Sequence, residues 1–328
     1  MTLPNSRTNP ARPSRRPTRR PASRPAARLA ALGAALALTL TGCSAAGSSG
    51  DSIVVTTNIL GDITAEIVGD QADVTVLMQP NADPHSFAIS AQQAADLERA
   101  GLVVHNGLGL EEGVQRNVDA AVAEGTPTIA VGEEVDPMTY ADGGSQGEQD
   151  PHFWTDPQRV RTAVEAITDR VVQDVEGVDE SAVRANAERY LGEIDELDTW
   201  MQEQFDEIPD SDRTLVTNHH VFGYLAERYD FDVLGAVIPS GTTLASPSPA
   251  DLEDLAGTIR EAGVPAIFAD SPETDRLAQV LAEQAGVDVR VEALFSESLT
   301  EADGEAPTYV DMMRANTETI ADSLAGRP

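Results

Sequence analysis

The 328-residue chain has no lysine, a single cysteine and only 4% aromatic residues. Without lysine, its 22 basic residues are all arginine, set against 55 Asp and Glu for a net charge of −33. Nucleic acid is excluded as a partner, because binding a polyanion needs a basic surface. The lone Cys43 rules out an internal disulfide and leaves no thiolate cluster to hold a soft metal. A transmembrane helix is also missing: the apolar run Leu29 to Leu40 falls well short of the ~20 residues a bilayer requires. No His-Glu-x-x-His pair is present, so the commonest helical signature of a zinc hydrolase is absent.

What the N-terminus does contain is instructive. Residues 1 to 28 carry eight Arg and no acid, then comes the apolar run, then Leu40-Thr41-Gly42-Cys43. A charged n-region, a short h-region and a small-residue cleavage site describe an export signal over residues 1–42. Cys43, directly after Leu-Thr-Gly, resembles a lipobox cysteine, which becomes the lipidated N-terminus of the mature chain; two acyl chains anchor stably where one does not. Residues 43–51 are small and polar, suited to a tether. Removal of the signal leaves 14 Arg against the 55 acids, a mature net charge of −41. Such a surface either gathers cations near a binding cleft or keeps the chain solvated in salt.

Beyond the tether, β-rich runs alternate with helical patterns. Ile53 to Thr57, Ala72 to Met78, Leu102 to His105 and Thr128 to Val131 read as strands, with helices between them, one of them starting at Glu111. The acidic, Gly-rich stretch Gly132 to Gln149 reads as a disordered surface loop, with no His or Cys to hold a soft metal. Thr214 to Thr217, Val233 to Val237, Ala266 to Ala269 and Asp288 to Leu294 repeat the alternation. Between the halves, Val183, Ala187, Tyr190, Ile194, Leu197, Met201 and Phe205 recur at helical spacing without a proline, so one helix about 40 Å long is expected. The fold class is therefore α/β: two lobes with mainly parallel sheets, over residues 52–178 and 209–328, joined by a long rigid helix at 179–208.

In open α/β sheets ligands bind beyond the carboxyl ends of the strands. Three of the five histidines, His85, His152 and His219, fall on loops after strands or at lobe edges beside an aromatic, and so does Glu297. His152 sits in Asp150-Pro151-His152-Phe153-Trp154-Thr155-Asp156-Pro157, where two prolines stiffen the loop and a carboxylate is at hand to orient the second ring nitrogen. Three imidazoles and a carboxylate in an inter-lobe cleft make a four-ligand metal site. His105, ending an apolar strand, reads as a packed histidine.

These residues resemble the metal-binding lipoproteins of ABC importers for zinc and manganese, over nearly the whole of Ser52 to Ala325. In that family a Pro-His-x-Phe loop supplies the first ligand, matched by Pro84-His85-Ser86-Phe87, and an Asp-Pro-His-x-Trp loop the second, matched by Asp150 to Trp154. The Asn106-Gly107-Leu108-Gly109 turn is also typical of it. The third ligand precedes an aromatic-Gly-Tyr turn, which in His219-His220-Val221-Phe222-Gly223-Tyr224 selects His219, with His220 as the rival. The fourth is a carboxylate after the last strand, usually Asp; Glu297 holds that place, with Asp270 as the substitute. Manganese members usually carry Glu where His219 stands, so the resemblance implies Zn2+, with Mn2+ as the alternative. It further implies a monomer, lipid-anchored on the extracytoplasmic face, that hands its metal to a permease driven by an ATPase.

Donor chemistry points the same way, since imidazole suits zinc and manganese sites lean on carboxylate and water. With four positions filled, no site is open to activate water, which favours capture over catalysis. A zinc-dependent hydrolase would need that open position and a general base. A surface adhesin would leave the histidines without a purpose.

Overall fold

The computed structural model describes residues 51–141, 143–271, 276–286 and 289–325; the signal sequence, Cys43 and most of the tether lie outside the described residues. The described residues form one compact unit.

In the first half the elements are β1 (Ser52–Val55), α1 (Asn58–Val68), β2 (Asp73–Val76), α2 (Ala91–Arg99), β3 (Leu102–His105), α3 (Gln115–Glu124), β4 (Thr128–Ala130) and the short α4 (Val131–Glu134). A 3-10 turn at Phe153–Thr155 leads into α5 (Pro157–Asp174), and α6 (Glu180–Phe205) and a second 3-10 turn at Asp210–Asp212 follow. The second half holds β5 (Thr214–Thr217), α7 (Gly223–Tyr229), β6 (Asp232–Ala236), α8 (Pro249–Ala262), β7 (Ala266–Asp270), α9 (Arg276–Ala285), β8 (Arg290–Leu294) and α10 (Tyr309–Leu324). Each half builds a four-stranded sheet, ordered β2-β1-β3-β4 and β6-β5-β7-β8, and every pairing is parallel. The shared order is what repeated βα units with right-handed crossovers produce.

Local chemistry sets the helix starts. Thr57 and Asp156 accept backbone N–H bonds at the heads of α1 and α5, Ser90 and Ser248 form capping boxes on α2 and α8, and Pro157 and Pro249 occupy first-turn positions where no N–H is needed. The predicted helix at Glu111 begins instead at Gln115. The reason is that the Glu111 carboxylate is buried and committed elsewhere: it accepts from Thr56 Oγ1 (2.7 Å), Asn106 N (2.6 Å) and Gly107 N (3.1 Å), locking the turn after β3. Gly107, Leu108 and Gly109 all take positive φ there.

Helix α6 spans 26 residues, about 39 Å at 1.5 Å per residue, and buries Val183, Ala187, Tyr190, Ile194, Leu197, Met201 and Phe205 along one face. Each large apolar side chain so buried contributes about 1.5–3 kcal/mol. The face packs on α1 and α5 of the first half and on α10 of the second, and Phe205 meets Tyr229 and Phe231 edge-on with centroids 5.0 Å apart. Asp198, midway along, accepts from Gln158 of α5 (2.9 Å) and Tyr229 of α7 (2.8 Å) and pairs with Arg228. One continuous core therefore runs through both halves, with α6 fastened to each.

Candidate metal centre

Loops at the carboxyl ends of four strands converge between the two sheets: His85 after β2, His152 after β4, His219 after β5 and Glu297 after β8. Their ligand atoms all lie within 4.8 Å of one another, and all four residues are buried, none more than 2% exposed. Glu297 Oε1 stands 3.0 Å from His85 Nε2 and 3.3 Å from both His152 Nε2 and His219 Nε2, while His85 Nε2 and His152 Nε2 are 3.4 Å apart. A tetrahedral centre with ligands at 2.0–2.1 Å has edges of about 3.3–3.4 Å. Four of the six donor–donor separations, 3.0–3.4 Å, are close to those edges, and the other two, from His219 Nε2 to the other imidazoles, lie within 4.8 Å.

Hydrogen bonding alone does not account for the cluster. Among the described residues, His219 Nε2, though 3.3 Å from Glu297 Oε1, has no hydrogen-bond partner in proper geometry, and neither has its Nδ1; Glu297 Oε2 and His85 Nδ1 are likewise buried without one. A buried polar atom left unpaired costs about 1–3 kcal/mol, and a cation among the Nε2 atoms and the Glu297 carboxylate would remove that cost for His219 Nε2 and Glu297 Oε2, though not for the two Nδ1 atoms. A divalent ion fits the donor set.

Each candidate ligand is held from behind, His152 through its ring and the others through their backbone or loop. Asp150 Oδ1 accepts from His152 N (2.9 Å) and faces His152 Nδ1 (2.8 Å), with the Tyr140 hydroxyl also 3.1 Å from that nitrogen. Placing the Nδ1 proton toward Asp150 leaves Nε2 to carry the lone pair into the site. His85 N donates to Asp83 Oδ1 (2.8 Å), and Thr217 Oγ1 donates to the His219 carbonyl (2.7 Å). The Glu297 loop is pinned across the cleft, where Trp154 Nε1 donates to Ser296 O (2.8 Å) and Leu299 N to Asn58 Oδ1 (3.0 Å).

The electrostatics follow from burial and these contacts. Burial works against a charged His152, but hydrogen bonds and charge from Asp150 and Glu297 outweigh it and push its pKa up to about 9. Burial holds the His219 pKa below the usual histidine range, which keeps that imidazole neutral and ready to donate. For Glu297, burial favours the acid form, yet the surrounding His219, His85 and His152 hold its carboxyl well below the usual range. The carboxylate is thus ionised and three imidazoles share it.

The rivals lie elsewhere. His220 turns its ring toward Tyr140, 6.4 Å between centroids, and lies against Gly143. Asp270, ending β7, accepts from Ser296 Oγ and steadies the residue before Glu297. His105 is buried at the end of β3 beside the Asn106–Gly109 turn, outside the group of four.

The stretch Gly132 to Gln149 departs from the expected disordered surface loop. After α4 its described residues form a narrow strap: Thr139 and Gln149 bridge antiparallel, Tyr140 N bonds Glu148 O (3.0 Å), and Tyr224 OH ties both stems by donating to Asp150 O (2.7 Å) and accepting from Met138 N (3.0 Å). Composition hid this, because acidic and glycine residues suggest solvent. The available signal was Tyr140, a large aromatic ten residues before Asp150 in an otherwise polar stretch.

The sequence profile of the family described as "Zinc-uptake complex component A periplasmic" matches residues 53–323. The chain belongs to this family. Membership makes it the extracytoplasmic metal-binding component of an ABC metal importer, a transporter part and not an enzyme. Among relatives, the manganese-binding lipoprotein MntA of Halalkalibacterium halodurans is 32% identical over 300 residues, covering 88% of this chain and 95% of that one. MntA of Bacillus subtilis, also a manganese-binding lipoprotein, is 29% identical, covering 88% and 95%. Among solved structures, the periplasmic zinc binding protein TroA from Treponema pallidum superposes with a TM-score of 0.76 at 26% identity, covering 84% of this chain and 99% of that one. The Mn-bound periplasmic metal binding protein from candidatus liberibacter asiaticus gives 0.74 at 26% identity, covering 84% and 99%. The family's two-lobe α/β fold is the one seen here.

Proposed function

We propose that this family member captures Zn2+ with His85, His152, His219 and Glu297 and, as a monomer, delivers it to a membrane permease worked by an ATPase. The observation that carries the reading is the convergence of three imidazole nitrogens on one carboxylate oxygen, 3.0–3.3 Å from each, in a buried site where all four donor atoms lie within 4.8 Å of one another. Such a site suits a borderline d10 cation, whereas Mn2+ prefers more oxygen. Mn2+ is the second reading, and the names of the two MntA relatives favour it. The deciding experiment is metal analysis of protein purified without added metal, then competition titration with both ions. Zinc should bind at least a hundredfold more tightly than manganese, and His219→Glu, which trades a borderline donor for a hard one, should narrow that gap at least tenfold. Equal affinities in the wild type would favour the manganese reading.

The same reading places the chain on the outer face of the cell membrane, held by a lipid on Cys43 and separated from it by the short tether. Cys43→Ser should move the protein from the membrane fraction to the soluble fraction in a cell fractionation. Unchanged membrane retention of this variant would count against the anchor.

A further inference from the structure

All four ligand residues are buried, so metal cannot reach them without something moving. One segment, residues 239–243 on the β6–α8 connection, touches the immediate support of every histidine ligand. On the His85 side, Thr243 Oγ1 donates to Asp83 Oδ2 (2.8 Å), and the other oxygen of that carboxylate caps His85 N. On the His152 side, Gly144 N donates to Pro239 O (2.8 Å) and Gly241 N donates to the buried Ser145 Oγ (3.1 Å), both from the strap that carries Tyr140 to His152. On the His219 side, His220 N donates to Ser240 O (3.0 Å). Gly241 lies so close to Tyr140 that a Cβ there would collide with its hydroxyl and ring.

We propose that residues 239–243 are a clasp that gates metal exchange, latched to the first lobe by Thr243–Asp83 and by Gly241–Ser145; this rests on the metal-site reading above. Both are side-chain latches that cross between the lobes beside the Gly144–Pro239 backbone bond and a longer Thr242 Oγ1–Glu112 Oε1 contact (3.5 Å), and each is a single hydrogen bond between small groups, one of them only partly buried. Contacts of that kind open locally at low cost compared with the packed core around α6. Neither Thr243 nor Ser145 belongs to the ligand set. Removing either latch therefore weakens the closed arrangement to a similar degree with or without metal, which lowers the barrier in both directions and leaves the equilibrium nearly where it was.

Rates separate a gate from a scaffold. Full-length wild type, Thr243→Val, Ser145→Ala and the double variant would be compared for Zn2+ association by stopped flow and for dissociation into a chromophoric chelator. Each single variant should accelerate association and dissociation together by about threefold to tenfold, the weight of one net hydrogen bond. The double variant should accelerate both further, with Kd held within about twofold. Thermal melts should show that each variant is folded. Faster dissociation alone, with Kd weakened in proportion, would mean these residues hold the ligands in place and would overturn the clasp, as would unchanged rates. Failure of the wild type to bind zinc would instead overturn the metal-site reading beneath it.

Discussion

Replacing His85, His152 or His219 singly with alanine should weaken zinc binding by roughly a hundredfold to a thousandfold, about a quarter of the ~10–16 kcal/mol that a complete four-ligand zinc site supplies. Each of the three Nε2 atoms forms an edge of 3.0–3.3 Å to Glu297 Oε1, so no ligand is peripheral and water must fill whichever corner is vacated. Asp150→Ala should cost less, about tenfold to a hundredfold, because it removes the partner of His152 Nδ1 and not a donor. His105→Ala and His220→Ala should stay within about threefold of wild type, since neither ring belongs to the group of four. Chelator competition measures all of these on one scale. A loss at His220 equal to that at His219 would mean the wrong member of the pair has been taken as ligand, and wild-type affinity in all three ligand variants would remove the site altogether.

The pH dependence should be nearly as large. Asp150 and Glu297 outweigh burial and raise the His152 pKa to about 9, so at neutral pH a proton occupies the ring that the metal needs. Zinc must displace it, and affinity should rise about tenfold per pH unit between pH 7 and about 9 before levelling. His219, whose pKa burial lowers, adds no competing proton in that range. Calorimetry in buffers of different ionisation enthalpy should find about one proton released per zinc at pH 7; zero release would contradict this assignment. The sign for stability is opposite. A raised histidine pKa stabilises the metal-free fold fully below about 6.5, and that contribution fades as pH rises through about 9. Metal-free protein should therefore melt at lower temperature at pH 9 than at pH 6, a difference that bound zinc should erase, because the ion replaces the proton as partner of Glu297.

Much of this was written locally in the chain. Strand and helix periodicity, the Asp156-Pro157 and Ser248-Pro249 helix starts, and the uninterrupted apolar face from Val183 to Phe205 specify two α/β halves and a long helix between them, because each is a short-range property of backbone geometry and apolar spacing. The same holds for His85 and His152, whose stiff, proline-flanked loops and neighbouring Asp residues announce oriented imidazoles. Where a residue's partner is remote, the sequence was silent. Glu111 could serve as a helix start until Thr56, fifty-five residues away, claimed its carboxylate. His219 and His220 are chemically identical neighbours that only the register of the following turn separates in sequence; the structure turns one toward Glu297 and the other toward Tyr140. Glu297 was the expected carboxylate with Asp270 as its substitute, and the structure separates them by contacts: Ser296 engages Asp270, and three imidazoles surround Glu297. The acidic strap read as solvent-exposed because composition records average polarity, whereas its order comes from a few specific contacts: Tyr140 against Gly241, Ser145 on its backbone amide, and Tyr224 across its stems. The chain alone thus determined the elements and the kinds of donor it carries. Which donors meet, and what closes over them, depended on contacts between residues far apart in sequence, which exist only once the two halves have packed together around α6.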